Sequence, residues 1–570
     1  MSGQRLKIQF QRLYNHFSGH DADTNLQDIA EVLFCTRRNV RMVINKMVDK
    51  GWINWEPAVG RGKQSRLAFC STDNELQLMH ARKLVAEGKL EPALEALEHN
   101  ADKLAQIIQE QLGHTTAHGK QIVRLPYYRA FSNLNPLQPL RRSEQHLVRQ
   151  VFNGLTRINE EKEEVEGDLA HHWEALNPRH WRFYIRPSVR FHDGRLLSSN
   201  DIIATFNQVK QHRLFSHIRE INAPFTNTID FYLTADDQRF PDLLTNLIAM
   251  IQPADADMDN PNVLFPIGTG PYKVIQNDSK RFKLEASDHY FGFRALIDIV
   301  DIWMLSEVAS CYLQPAADAS QLGGVSVSTR LKLDEGCNFL LFNRISGLPA
   351  DPQWLRYLQG RLTALQLLQR LNKDQIGDFR LTNAYGILPG WTHVPLHTAP
   401  VHEPPSKRTL TIAFACQHPV YPHVANAIKE LLAEDGIKLK MLELTTTEIA
   451  LGKHCQKIDL WLGGMSLMNY RDDALLSWFF NFDHIARAMP EEEFKQLEQE
   501  ILRWRANIEQ TSPCQHIGAK LVEFGQIMPL FHNWLGVDDS GAVQGMQSNS
   551  MGWFDFKSVW MKPELDDSTR

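Results

Sequence analysis

The chain of 570 residues contains no apolar run approaching ~18 residues, so no segment reads as a membrane-spanning helix. Its N-terminus, MSGQRLKIQFQRLYNHF, lacks the ~7–15 residue apolar core of a secretory signal. Gln4, Arg5, Lys7, Gln9, Gln11 and Arg12 break up every apolar step there, and the chain is expected to stay in the cytoplasm. Cysteine is sparse: Cys35, Cys70, Cys311, Cys337, Cys416, Cys455 and Cys514 are far apart, odd in number and contain no CxxC pair. A zinc ribbon and a thioredoxin-type motif are thereby excluded, and the thiols read as small apolar core residues. HExxH, GxSxG and GxxxxGK[ST] are absent as well. The acidic run Glu160 to Glu166 reads as a solvated loop, and His171-His172 would point in different directions on a strand or helix. The expectation is a protein with no catalytic residues, no metal and no cofactor.

What is present is an ordinary globular composition, 43% hydrophobic and 22% charged, enough chain for three to four folding units at ~150 residues each. The charge is unevenly spread. Residues 1–69 hold 11 basic and 6 acidic residues, a net of +5, whereas the rest hold 50 and 61, a net of -11. A small basic head precedes a large acidic body.

In the head, Leu6, Phe10, Leu13, Tyr14 and Phe17 recur at helical spacing, and Gly19 ends that helix. Thr24 stands three residues before Gln27, the spacing of a capping box, and opens a second helix. Thr36 then caps a third. Its inward side is Val40, Val43, Ile44, Met47 and Val48; Arg38, Arg41 and Asn45 fall opposite, with Arg37 at the margin. Lys50-Gly51 closes it. Residues 52–56 and 65–69 alternate as two strands around a tip, Gly60-Arg61-Gly62-Lys63. Three helices followed by a two-stranded wing is the order of a winged helix-turn-helix. Arginine matches guanine and asparagine matches adenine in the major groove, while Arg61 and Lys63 suit phosphates or the minor groove. The tip is no phosphate loop, since Pro57 and Gln64 occupy positions that require Gly and Ser or Thr. Thr36, Arg37, Arg38, Arg41, Asn45, Arg61 and Lys63 are the candidate contacts to double-stranded DNA.

Residues 74–113 read as continuous helix with a break at Gly88. Leu90, Leu94, Leu97, Ala101, Leu104 and Ile108 are spaced as a short heptad seam, which serves either a homodimer and signal-carrying contact or packing against the chain's own domains. From Gln121 onward strands and helices mix, with a strand at 122–125, a helix at 144–154 and a strand at 181–186, and three separated motifs stand out. Gly167 to Trp173 resembles the P-x-L-A-x-x-W step of the extracytoplasmic peptide- and nickel-binding proteins. Trp181 to Asp201 resembles that family's F-x-L-R-x-G-V-x-F-h-D-G-x-p-l-t-a-x-D signature, and Phe265 to Tyr272 its P-I-G-T-G-P-Y. The resemblance covers about 120–560.

That family's acidic anchor for a peptide amino group, in a G-W-x-A-D-Y-type loop, is replaced here by Asn469, beside Tyr470 and Arg471. Peptide binding loses its charge-assisted partner. A solute-binding body behind a winged helix resembles the SgrR-type regulators of enterobacteria, with close local matches at Arg38 to Trp52, Gly60 to Leu67, Leu140 to Glu144 and Gly552 to Ser558. The resemblance implies a transcription factor that answers sugar-phosphate stress: it activates a small-RNA gene and a neighbouring sugar-efflux gene and represses its own.

The expected fold is therefore mixed α+β and α/β. A winged helix spans 1–73, a helical connector 74–118 and a two-lobed sensor of the periplasmic-binding type 119–570. Lobe I takes about 119–335 and 475–570, lobe II about 336–474, with crossovers near 337–343 and 458–463. For a phosphorylated sugar in the inter-lobe cleft the candidates are Arg129, Arg141, Arg142 (ahead of a helix N-terminus at Ser143), Asn469 and Arg471, with Trp391 to stack on a sugar face. The competing readings are a cytoplasmic peptide-sensing regulator, a solute-binding or scaffold protein whose head docks on something other than DNA, and an exported transport receptor, against which the winged head argues.

Overall fold

The computed structural model describes residues 3–561 except 59–63, 87–88, 118, 128, 132, 160, 261, 306–327, 372–380, 393–402, 407, 417, 419, 468–470, 482, 540–542 and 545–552. The chain divides into two compact units, 1–113 and 114–570.

In the first unit the apolar spacing produces α1 (Gly3–His16), with Leu6, Phe10 and Leu13 buried. α2 (Leu26–Val32) is capped by Asn25, whose side chain accepts from the N–H groups of Gln27 and Asp28. Thr24, the expected cap, instead ends a strand, β1 (Ala22–Thr24), because Asn25 presents its acceptor one residue closer to the helix. α3 (Arg37–Asp49) has Thr36 as its cap and buries Val40, Val43, Ile44 and Met47. Val48, expected on that side, is 38% exposed; it lies about 80° round the helix from Val40, at the edge of the stripe. β2 (Ile53–Glu56) and β3 (Ser65–Phe69) form the wing, and β1 adds a strand not foreseen, in the order β1-β3-β2. Arg61 and Lys63 lie outside the described residues.

The expected continuous connector is three helices, α4 (Asp73–Ala86), α5 (Leu90–Ala96) and α6 (Ala101–Gln111). Glu98 and His99 sit in left-handed backbone, φ 55° and 61°, and Asn100 caps the next turn by accepting from the Lys103 N–H. The heptad seam is thereby cut. Leu97, Leu104 and Ile108 are buried within the unit, and Arg82 of α4 pairs with Glu110 of α6 at 2.9 Å. A dimer through one long helix is not available to this backbone.

The second unit starts with β4 (Gly113–Ala117) and β5 (Lys120–Tyr127), then α7 (Arg142–Val151), β6 (Thr156–Asn159), β7 (Glu164–Gly167), β8 (Ala170–Asn177), β9 (His180–Ile185), α8 (Ser199–Val209), β10 (Ile218–Asn222) and β11 (Thr228–Leu233). β12 (Tyr272–Asn277), β13 (Arg281–Ala286) and β14 (Ile299–Met304) follow. A five-stranded sheet, β12-β13-β14-β5-β4, packs on the apolar side of α7, and a four-stranded sheet, β10-β11-β9-β8, packs on α8. The three signature motifs meet between these layers. Asn153 donates to both oxygens of buried Asp168, at 3.0 and 2.9 Å, and accepts from Thr269 Oγ1 at 3.1 Å. A Cβ on Gly268 would stand 2.1 Å from the Val151 carbonyl oxygen, so only glycine allows this approach. The motifs that carry the resemblance hold the lobe together rather than line the cleft.

The strands β15 (Ser328–Leu333), β16 (Gly336–Phe342), β17 (Leu381–Asn383), β18 (Thr409–Ala415), β19 (Lys438–Leu444), β20 (Leu460–Ser466) and β21 (Ile527–Asp539) form a seven-stranded sheet of order β15-β21-β16-β20-β18-β19, with β17 on β21, and Val543–Gln544 pairs with Trp560–Met561 apart from it. β16 is buried on both faces: Phe339 and Leu341 enter one core, Leu340 and Phe342 the other. The two expected crossover segments, 337–343 and 458–463, fall on the paired interior strands β16 and β20. One expectation is corrected here. Residues 527–539, read as lobe I, are β21 of the lobe II sheet; they alternate as a buried strand, which sequence alone cannot assign to one sheet or another. Residues 553–559 do return to lobe I, where Phe554, Phe556 and Val559 join the core behind α7.

Candidate DNA interface and ligand cavity

α2, a tight turn and α3 make the helix-turn-helix. Phe34 occupies the turn at φ 50°. Arg38, Arg41 and Asn45 are exposed on one side of α3, as the spacing predicted. Thr36 has its hydroxyl engaged by the Asn39 N–H at 3.4 Å, and Arg37 Nε donates to Gln27 Oε1 at 2.5 Å, so both contribute to holding α3 in place. Met42 is 54% exposed and stands about 40° round the helix from Arg38, at the margin of the same face.

In the second unit a cavity of about 770 Å³ opens between the lobes. Four arginines line it, Arg129, Arg141, Arg142 and Arg149, against a single carboxylate, Asp334, among the described lining residues. This cationic cavity sits in the acidic part of the chain. Arg142, Gln145 and Arg149 recur at i, i+3 and i+7 on α7, opposite Leu147, Val148 and Val151, so one amphipathic helix supplies both core and cavity wall. Arg142 donates in fork fashion to Asp334, 2.8 Å to Oδ2 and 3.1 Å to Oδ1. Arg141 is the N-cap residue of α7, and its Nε reaches Thr446 Oγ1 across the cavity at 3.4 Å. Arg129 donates to both oxygens of buried Glu144, at 2.5 and 2.9 Å, which offsets its charge at the wall.

Aromatic and imidazole rings also line the cavity: Trp461, Trp478, Tyr421 and His418, whose ring stacks 3.5 Å from that of Tyr421. Arg149 and these aromatics were missed. The polar stripe of α7 was a usable signal for Arg149; the aromatics come from four separate segments and carried none. Trp391, expected to stack on a sugar, does not line the cavity. It packs against Gly518, at 2.7 Å from where a Cβ would stand, in the helix Cys514–Glu523. Arg471 opens the helix Arg471–Asn481, with its side chain outside the described part, and Asn469 lies outside the described residues.

Burial holds three imidazoles of this region neutral. His146 is pushed down to about 3, by burial and then Arg149. His418, by burial and then Arg141, and His484, by burial and then Arg487, are pushed down to about 4. Unfolded imidazole titrates at ~6.5, so each group binds a proton more readily in the unfolded chain. Their contribution is complete above ~6.5 and is lost as pH falls toward 4, about 2 kcal/mol for each by pH 5. The thermal midpoint is therefore expected to drop markedly between pH 7 and pH 5, and His484→Gln to flatten that drop; a midpoint indifferent to pH over this range would contradict it.

Two family models match. One, described as "Sugar transport-related sRNA regulator N-term", covers residues 5–119, and another, "Bacterial extracellular solute-binding proteins, family 5 Middle", covers 164–317. The "HTH-type transcriptional regulator SgrR" of Yersinia pseudotuberculosis serotype I (strain IP32953) is 39% identical over 567 residues, 99% of this chain and 100% of that relative. The chain belongs to the SgrR family of transcriptional regulators. Its relative of the same name in Escherichia coli (strain K12) is 35% identical over 569 residues, again 99% and 100% of the two chains. As an SgrR-family member it is a DNA-binding regulator. The oligopeptide-binding protein AppA from Bacillus subtilis, solved in complex with a nonapeptide, matches with a TM-score of 0.62 at 17% identity, over 78% of this chain and 100% of its own. The murein tripeptide binding protein MppA of Escherichia coli matches at 0.61 and 16%, over 78% and 99%. At such identities these two neighbours show the fold alone: the SgrR-family body is a family 5 solute-binding fold. No helix among the described residues is long and apolar enough to cross a membrane.

Proposed function

We propose that the chain is a cytoplasmic transcription regulator that senses a phosphorylated sugar, activates a small-RNA gene serving sugar-phosphate stress and represses its own gene. The reading of the ligand rests on the lining of the cavity, which combines Arg141, Arg142 and Arg149 with the rings of Trp461, Trp478 and Tyr421. Guanidinium groups match phosphate geometry, and aromatic faces suit the C–H faces of a sugar ring. A peptide would need an anion for its amino group, and the one carboxylate among the described lining residues, Asp334, already accepts from Arg142. On the DNA side, Arg38, Arg41 and Asn45 supply donors to base edges, and Met42 supplies an apolar contact for a thymine methyl.

The test is a melting screen. A ligand bound only by the folded state stabilises it by ~2.7 kcal/mol at a hundredfold excess over Kd, a rise of several degrees. A hexose phosphate at millimolar concentration is expected to produce this rise and the unphosphorylated hexose none. A rise with tripeptides and none with the phosphate would replace this reading with a peptide sensor.

A further inference from the structure

Asp334 stands in the turn from β15 to β16. Its backbone N–H donates to the Asn533 carbonyl at 2.8 Å, its carbonyl accepts from the Gly336 N–H at 2.9 Å, and its Oδ1 accepts from Ser466 Oγ at 2.8 Å. Strands β21 and β16 therefore hold the backbone of this residue, and β20 holds its carboxylate. Across the cavity it takes the fork of Arg142, the first residue of α7 in lobe I. The pair is mostly covered, the side chains being 29% and 10% exposed. A carboxylate in a two-point hold on a guanidinium has the geometry of a bound phosphate oxygen pair.

We propose that Asp334 is a resident anion of the ligand site, which the phosphate of the ligand displaces from Arg142. This deepens the phosphosugar reading and rests on it. A phosphate carries up to two charges and three acceptor oxygens against the carboxylate's one charge and two oxygens, so it outcompetes Asp334 for Arg142 while Arg141 and Arg149 add further donors. Asp334 then keeps Ser466 as donor but faces a like charge in the same cavity. Repulsion works on the β15–β16 turn, and the Arg142 bridge between α7 and the lobe II sheet is broken. Ligand binding is coupled to the release of one lobe from the other through a single exchange of anions.

Asp334→Asn removes the competing charge and keeps the shape. Calorimetric titration with a hexose phosphate is expected to give at least tenfold tighter binding to D334N than to the unaltered chain, and Arg142→Gln at least tenfold weaker. Equal or weaker binding by D334N would overturn the exchange and leave the phosphosugar reading standing; no binding by either protein would remove both. Hydrogen exchange on the unaltered chain needs no variant: the hexose phosphate is expected to speed exchange at Gly336 and Asp334. Slower exchange there would show that the ligand tightens the bridge, which is the opposite of the proposal.

Discussion

Replacing Arg38 and Arg41 together by alanine is expected to weaken specific binding to the fragment upstream of the chain's own gene by at least a hundredfold. Both side chains stand exposed on the outward side of α3, away from the buried Val40, Val43, Ile44 and Met47, so their loss leaves the core of the unit untouched. Each arginine that grips a guanine edge contributes about 1–3 kcal/mol of discrimination, and one that holds a phosphate contributes sequence-independent affinity. The two outcomes differ in kind. If both arginines read bases, the double variant binds the upstream fragment no better than random DNA. If one serves the backbone, binding to both falls and the dependence on salt becomes shallower by about one unit of slope. Gel retardation at fixed moderate salt, with the melting curve as a check of folding, decides between them; undiminished specific binding would remove α3 as the reading element.

The second large effect concerns stability. Arg505, in the helix Glu491–Ala506, donates through Nε and Nη2 to Asp237 Oδ2 at 3.2 and 3.0 Å and through Nη2 to the Arg239 carbonyl at 2.8 Å. His217 Nε2 lies 3.1 Å from the same carboxylate oxygen. Asp237 is 2% and Arg505 5% exposed. Burial pushes the Asp237 carboxyl up, but the Arg505 charge and the His217 contacts outweigh it and hold the group below the usual carboxylate range. Arg505→Met strands a buried charge, and such half-broken pairs cost about 3–5 kcal/mol. Because the folded carboxyl titrates lower than the unfolded one, the pair stabilises above the ordinary aspartate range and loses its effect as pH falls below it. The deficit of the variant is accordingly expected to narrow at acid pH, where Asp237 can take a proton, and the double variant with Asp237→Asn to recover most of the loss at pH 7. Urea unfolding measures all three; a deficit under 1 kcal/mol at pH 7 would mean the pair is solvated or replaced.

Much of the first unit was legible because its signals are local. Helical spacing of Leu6, Phe10 and Leu13, a threonine cap on α3 and a glycine after Lys50 act within a few residues of one another. The errors there have the same scale: Asn25 outcompeted Thr24 by one position. The connector failed for another reason. A seam of apolar residues is compatible with one long helix or with short helices folded together, and only the left-handed backbone at Glu98 and His99 distinguishes them. In the body, motifs identified the fold but said nothing of the cavity, since Asn153, Asp168 and Thr269 act inside lobe I. The arginines of α7 could be read from a helix wheel. The partners that complete the site, Asp334, Tyr421, Trp461 and Trp478, are brought together only by the packing of two lobes distant in sequence.

The wall that carries Arg142 and Arg149 has a late-arriving support. Trp553 Nε1 donates to Ser143 Oγ at 3.2 Å across 410 residues of chain, its ring stacks on His146, and Phe556 closes the same core. A ribosome thus delivers α3 long before it delivers the brace of α7. A transcript cut short before this brace would encode a DNA reader whose cationic helix has no floor. Nonsense mutations late in the gene are for that reason predicted to produce unresponsive regulators rather than merely shortened ones.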